Sequence, residues 1–259
     1  LYFCGAKNAF NLFTHVDTRT VTIAKISNLI QSLPYSSISL TSSMLLLHQL
    51  ACIALGYLIG SIPTARLITR FVVGKDVLVE GSGNAGAMNS YRVSGKRWVG
   101  ALVAAVDIAK GFCAVQAGML VASSAHVQTF VLPAVAGFFC VFGHCYNLWQ
   151  SGRGGRGLAP AAGVVLAINP VNLVVFCVMW LTGYVVIRRN IYVGTMAGAI
   201  GTPILMFNAP DTLLQAFMRV PCEKLSLHTV FIFLLCSVIV VRHAEPIRQL
   251  LNADEPEAK

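Results

Sequence analysis

Residues 99–122 read VGALVAAVDIAKGFCAVQAGMLVA, a run in which Asp107 and Lys110 are the only charges. About 20 apolar residues in a helix suffice to cross the hydrocarbon core of a bilayer, so this stretch predicts a membrane span. Working outward, further apolar runs occupy residues 44–65, 127–149, 158–169, 170–187, 191–208 and 226–241. The 158–169 run is short, and Asn169-Pro170 divides it from the next, a pair that favours a break over a continued helix. Composition agrees: 56% of the 259 residues are hydrophobic and 11% charged, whereas a soluble domain carries roughly a quarter charged residues. The length leaves room for six or seven spans. The expected fold is therefore an all-α polytopic membrane protein of about seven transmembrane helices, one span short and broken. Residues 44–259 form its single integral-membrane domain. Residues 1–43 are rich in Ser, Thr and Asn, hold one acidic residue, Asp17, and have no initiating Met. They read as a transit-like or accidental upstream extension, and no function is assigned to them.

Nineteen Lys and Arg against ten Asp and Glu give a net charge of +9, a balance suited to nucleic acid, anionic lipid or a small polyanionic substrate. The position of the charges decides. With the N-terminus outside, the inward segments 66–98, 150–157, 188–190 and 242–259 hold thirteen of the basic residues, the outward segments five, and Lys110 lies within a span. Short inward loops rich in Lys and Arg are the asymmetry of membrane insertion, so the C-terminus is expected in the cytoplasm. Nucleic acid then drops out as a partner, and membrane lipid and a small polyanionic substrate remain. In this orientation the Gly-rich segments 80–92 and 152–157 and the Arg-His segment 242–248 all fall on one side, as a single active-site face requires.

The eight Cys include no Cys-x-x-Cys pair and lie mostly inside apolar runs, which marks them as small buried hydrophobes. Carboxylates are scarce and the six His scattered, so no metal site and no cofactor is expected.

Three polar segments could carry chemistry. Glu80-Gly-Ser-Gly-Asn-Ala-Gly-Ala-Met-Asn-Ser-Tyr-Arg92 gathers glycines, amides, hydroxyls and a guanidinium. It is either a loop that wraps an anion with backbone N–H groups or a flexible connection. Gly152-Arg-Gly-Gly-Arg-Gly157 stands directly before a helical run, where free N–H groups and the positive helix end favour phosphate. Arg153 and Arg156 add bidentate donors. A topological anchor would need the Arg residues but not the four glycines, each of which carries an entropic cost. Arg242-His-Ala-Glu-Pro-Ile-Arg248 closes the last span with a titratable His, or simply a basic stop. Asp107 and Lys110, three apart, either pair with each other or line a polar cavity. His144 and Asn147, one turn apart, belong either to the same site or to the interface.

Taken together, Gly60-Ser-Ile-Pro63, the Gly-Ser-Gly-Asn loop, Asp107-x-x-Lys-Gly111, Gly143-His144 before Gly-Gly-Arg-Gly, and the terminal Arg-His-x-Glu resemble the bacterial acyl-phosphate:glycerol-3-phosphate acyltransferase family. The resemblance covers roughly residues 50–255, in order. It implies a seven-helix enzyme of the bacterial inner membrane, its site on the cytoplasmic face. Such an enzyme moves a fatty acyl group from acyl phosphate to the 1-hydroxyl of glycerol 3-phosphate, giving lysophosphatidate and phosphate. An acyl-phosphate-forming enzyme is the implied partner. Carried over by position, Ser82, Asn84, Asn89 and Arg92 belong to the glycerol-phosphate and catalytic loop. Gly154, Gly155, Arg156 and Gly157, with Gly152, Arg153 and His144 beside them, belong to the phosphate site, and His243 matches the C-terminal His. Ser82, Arg92 and His243 take the catalytic roles. The chain departs from the family pattern at Met88 and Pro160, where the family has Thr, at Arg153 and Arg156, where it has Lys, and at Pro246, where it has Asn. Met88 and Pro246 lose hydrogen bonds outright, which leaves a weakened relative as one alternative and a transporter of a phosphorylated anion as another. Two phosphates require two cationic sites, and the two Gly-rich loops supply them. Either His243 or a substrate phosphate oxygen is a base of suitable strength for the attacking hydroxyl.

Overall fold

In the computed structural model, residues 40–252 are described. All but the last four residues of the 1–43 extension lie outside them. Every one of the seven apolar runs is helical: α1 Leu40–Gly60 and, after two intervening helices, α4 Arg97–Ser124, α5 Val131–Cys145, α6 Leu158–Ile168, α7 Val171–Thr182, α8 Ile191–Asn208 and, after a short α9, α10 Leu225–Asn252. Among the described residues five helices are long and apolar enough to cross a membrane, the first of them running into its successor. Leu158–Ile168 and Val171–Ile187 are shorter apolar segments. The intervening pieces are α2 Thr64–Val73, α3 Ala87–Ser94 and α9 Asp211–Ala216. The 66–98 stretch, expected as a loop, thus contains two helices. α2 places Thr64, Ala65 and Thr69 inward and leaves Leu67 and Phe71 exposed.

Side chains are distributed as lipid demands. Leu46, Leu47, Leu58, Val174, Val178, Phe233 and Val241 are exposed, while Asn169, Asn172, Asp107, Lys110, His144 and His243 are buried. Polar groups in hydrocarbon are costly unless they meet one another. Since lipid offers little hydrophobic drive for one helix to join another, close backbone approach through small residues supplies the packing. α1 meets α5, and α4 meets α6, in this way. A Cβ on Gly60 would strike the Cys140 backbone, and one on Gly111 the Pro160 backbone.

The predicted break at Asn169-Pro170 is real. Asn169 is extended, as a residue before proline must be. Its side-chain oxygen accepts from the Val171 N–H at 3.1 Å, and its amide donates to the Leu214 carbonyl at 2.9 Å. One residue thus ends α6, caps α7 and ties both to α9. Pro203 and Pro246 sit inside α8 and α10 without ending them. At the other end of the bundle, Ser61 closes α1. The Asn147 amide donates to the Ser61 carbonyl at 2.7 Å, and the Tyr57 hydroxyl to the Tyr146 carbonyl at 2.9 Å. These bonds lock the ends of α1 and α5 together and set the platform on which the Gly-rich segments stand.

Candidate active site

The loop after α5 makes a 3-10 turn, Leu148–Gln150, and then Ser151 and Gly152 take left-handed backbone angles, φ 51° and 76°. The reversal returns the chain to α5. The Gly155 N–H donates to the His144 carbonyl at 3.1 Å, and a Cβ on Gly154 would meet that carbonyl while one on Gly155 would meet His144 Nε2. Glycine is required at both by contact. From α10, Arg242 reaches across: its Nε donates to the Gly155 carbonyl at 3.2 Å and its terminal nitrogen to the Gly154 carbonyl at 3.1 Å, with the guanidinium 5.3 Å from the Tyr146 ring centre. Both carbonyls point at Arg242. The first turn of α6, which begins at Leu158, has N–H groups without helical acceptors. Pro160 occupies that turn, where its missing N–H breaks no helical bond.

Beyond this loop lies a cavity of ≈340 Å³, lined by Asn84, Gly86 and Met88, by His144 and Asp107, by Arg156 and Gly157, and by Trp180, Tyr192, Thr195 and His243. Arg156 is half-buried, its guanidinium 4.8 Å from the centre of the Tyr192 ring. His243 is buried; its Nδ1 is 2.8 Å from the Ile239 carbonyl. A carbonyl only accepts, so Nδ1 holds the proton and Nε2 of the neutral ring is free to accept. A second recess of ≈10 Å³ shares Asp107 and His144 and adds Asn147, Gln150, Gly154 and Gly155.

The 80–92 loop is built by Asn89. Its side-chain oxygen accepts from the Ser82 N–H at 2.9 Å, and its amide donates to the carbonyls of Val77 at 2.9 Å and Glu80 at 3.1 Å. Gly81, at φ 64°, lies against that side chain. Before it, Asp76 pairs with Arg66 at 2.7 Å. Burial raises the Asp76 carboxyl, but the Leu78 N–H and the Arg66 guanidinium outweigh it and hold the group below the usual carboxylate range.

The structure therefore brings Asn84, His144, Arg156, Gly157 and His243 to one cavity, with Gly154 and Gly155 lining the adjoining recess. Ser82, Arg92, Gly152 and Arg153 are exposed and do not line it; Asn89 is buried and occupied with its own loop. Asn147, read as site or interface, bonds Ser61 and the Trp149 N–H. Asp107 and Lys110 are both an ion pair, at 2.8 Å, and a cavity wall at Asp107. The sequence reading missed Tyr192, Thr195 and Trp180, and passed over Arg242. The signal available for Tyr192 was its place two residues after Asn190, whose side chain caps α8.

Comparison with known proteins identifies the family. The sequence model of the family described as glycerol-3-phosphate acyltransferase matches residues 50–253. A glycerol-3-phosphate acyltransferase of Macrococcus caseolyticus (strain JCSC5402) is 30% identical over 203 residues, 78% of this chain and 93% of that relative. One of Staphylococcus aureus (strain Newman) is 30% identical over 208 residues, 79% and 95%. Among solved structures, PlsY (YgiH), an integral membrane glycerol 3-phosphate acyltransferase in its glycerol 3-phosphate form, superposes with a TM-score of 0.63 at 27% identity, covering 80% of this chain and 94% of that one. Its lysophosphatidic acid form gives 0.62 at 26%. The match runs through both Gly-rich loops, the α4 charge pair and the Arg242–Arg248 segment of α10, and the chain belongs to the glycerol-3-phosphate acyltransferase family.

Proposed function

We propose that this chain transfers a fatty acyl group from acyl phosphate to the 1-hydroxyl of sn-glycerol 3-phosphate, releasing lysophosphatidate and inorganic phosphate. The observation that carries the reading is that Leu158 lines two cavities with different walls. One carries Arg156, His144 and His243 on its wall. The other, ≈170 Å³, is apolar and runs among α6, α7, α8 and α10, between Ala162, Phe176, Ile232 and Ile239. An acyl phosphate has the same division, an anionic head on a hydrocarbon tail. Residues 44–259 act as one integral-membrane catalytic unit. The excess of basic residues in the site-bearing segments supports a site facing the cytoplasm of the bacterial inner membrane, where an acyl-phosphate-forming enzyme would supply the donor.

Acyl phosphate is a mixed anhydride with a good leaving group, so the protein's task is alignment and charge neutralisation. Arg156 and the α6 N-terminus take the donor phosphate, while Asn84 and the 80–92 loop, with Ser82 and Arg92, receive the acceptor. The exposed Arg153 and Gly152 lie on the approach. His243 Nε2 accepts the proton of the attacking hydroxyl. The hydroxyl oxygen bonds to the acyl carbon, the carbon–oxygen bond to phosphate breaks, and the phosphate leaves with its electron pair.

The test is phosphate release by the purified protein from palmitoyl phosphate, with and without glycerol 3-phosphate. Release that requires both, with lysophosphatidate formed, is the expected result. Well-folded protein that releases none would sink the reading and leave a relative weakened at Met88 or Pro246. The apolar cavity supplies a second expectation. Ala162→Phe should lower kcat/KM for palmitoyl phosphate about tenfold by removing one or two buried methylenes' worth of contact, yet spare a decanoyl donor. Equal loss with both donors would place the chain elsewhere.

A further inference from the structure

The charged pair inside α4 takes no part in the steps above, although Asp107 stands at the cavity wall. Lys110 and Asp107 are 6% and 1% exposed. Lys110 Nζ lies 2.8 Å from Asp107 Oδ1, 2.9 Å from His144 Nδ1 and 3.4 Å from the Ile62 carbonyl oxygen. An ammonium has three N–H donors and no lone pair; it hydrogen-bonds His144 Nδ1 and the Ile62 carbonyl, and meets Asp107 Oδ1 as an ion pair. His144 Nδ1 therefore accepts, and a neutral imidazole that accepts at Nδ1 carries its proton on Nε2. That nitrogen lies against Gly155, close enough that a Cβ there would overlap it, and the ring faces both the cavity and the recess.

We propose that Lys110, neutralised by Asp107, is a positioning residue that fixes His144 as an Nε2–H donor toward the anion held at the Gly154–Gly157 loop. The proposal rests on the phosphate-binding reading of that loop. A cation inside a span is expensive, and the carboxylate one turn away removes the net charge. What the pair adds is direction. His243, with Nδ1 bonded to the Ile239 carbonyl, presents the opposite tautomer, so the two imidazoles of the cavity divide the work: His144 donates and His243 accepts.

The experiment is ¹⁵N NMR of the whole protein, labelled at its six His, in detergent micelles, with the His144 signals assigned by their loss in His144→Gln. The expected wild-type spectrum has a protonated Nε2 and an unprotonated Nδ1 for His144. In the double variant Lys110→Met with Asp107→Asn, which strands no charge, a proton should appear on Nδ1. The Kd for inorganic phosphate, measured on the same samples, should rise about tenfold with loss of one oriented donor to an anion. A wild-type ring protonated at Nδ1 overturns the proposal without any variant, and so does a double variant whose tautomer and phosphate affinity both match wild type. Wild-type protein that binds no phosphate while showing the expected tautomer defeats instead the reading of the loop, and with it the donor's target.

Discussion

Arg156→Ala is expected to lower turnover about 100- to 1000-fold, the effect of deleting one preorganised donor to a charge that develops in the transition state. Arg156 is the one guanidinium lining the cavity among the described residues, and the face of Tyr192 holds it at 4.8 Å. A cation stacked on an aromatic ring has few alternative rotamers, so little reorganisation accompanies charge movement. In the proposed reaction, negative charge gathers on the departing oxygen as the C–O bond to phosphate breaks. The loss should therefore fall on kcat more than on KM. Arg156→Lys restores a positive charge and should recover activity to within about tenfold despite the altered donor geometry. Steady-state phosphate release at saturating palmitoyl phosphate and glycerol 3-phosphate measures both variants. Wild-type turnover in Arg156→Ala would remove this residue from the chemistry and transfer the role to the α6 N-terminus.

Arg242→Ala is expected to reduce kcat/KM about 100-fold although the residue lines neither cavity, because a misplacement of about 1 Å at a reacting group costs that much. Its two donors hold the Gly154 and Gly155 carbonyls at 3.1 and 3.2 Å. These are charge-assisted bonds, each worth about 1.5–3 kcal/mol net. Removing them frees two carbonyls to turn inward, where they would present partial negative charge to a phosphate. Binding and turnover should both suffer, and the melting temperature should fall. Arg242→Lys keeps the charge but cannot bridge two carbonyls from one planar group, so it should recover stability better than activity. A variant with normal kinetics and a lowered melting temperature would reduce Arg242 to a purely structural tie.

Much of this protein is legible without coordinates because hydropathy is a property of each segment alone. Seven apolar runs become seven helices since a backbone in lipid must satisfy its own hydrogen bonds. The Asn169-Pro170 break follows from the steric effect of proline on its predecessor, and the glycines of 152–157 announce a close approach that the His144 carbonyl and ring later explain. The α2 and α3 helices were less legible, being short, amphipathic and embedded in a stretch whose Gly and charges read as loop. Residue type also misleads about role. Asn89 has the composition of a ligand-binding amide but spends its donors on Val77 and Glu80, and Arg242 reads as a stop signal until the 154–155 carbonyls are found beside it. The sequence by itself determined the apolar helices and the break at Asn169-Pro170. Only the tertiary structure decided which polar groups meet, since that depends on how each helix is rotated about its axis. That rotation is set by contacts such as Gly60 on Cys140 and Gly111 on Pro160, between residues far apart in the chain.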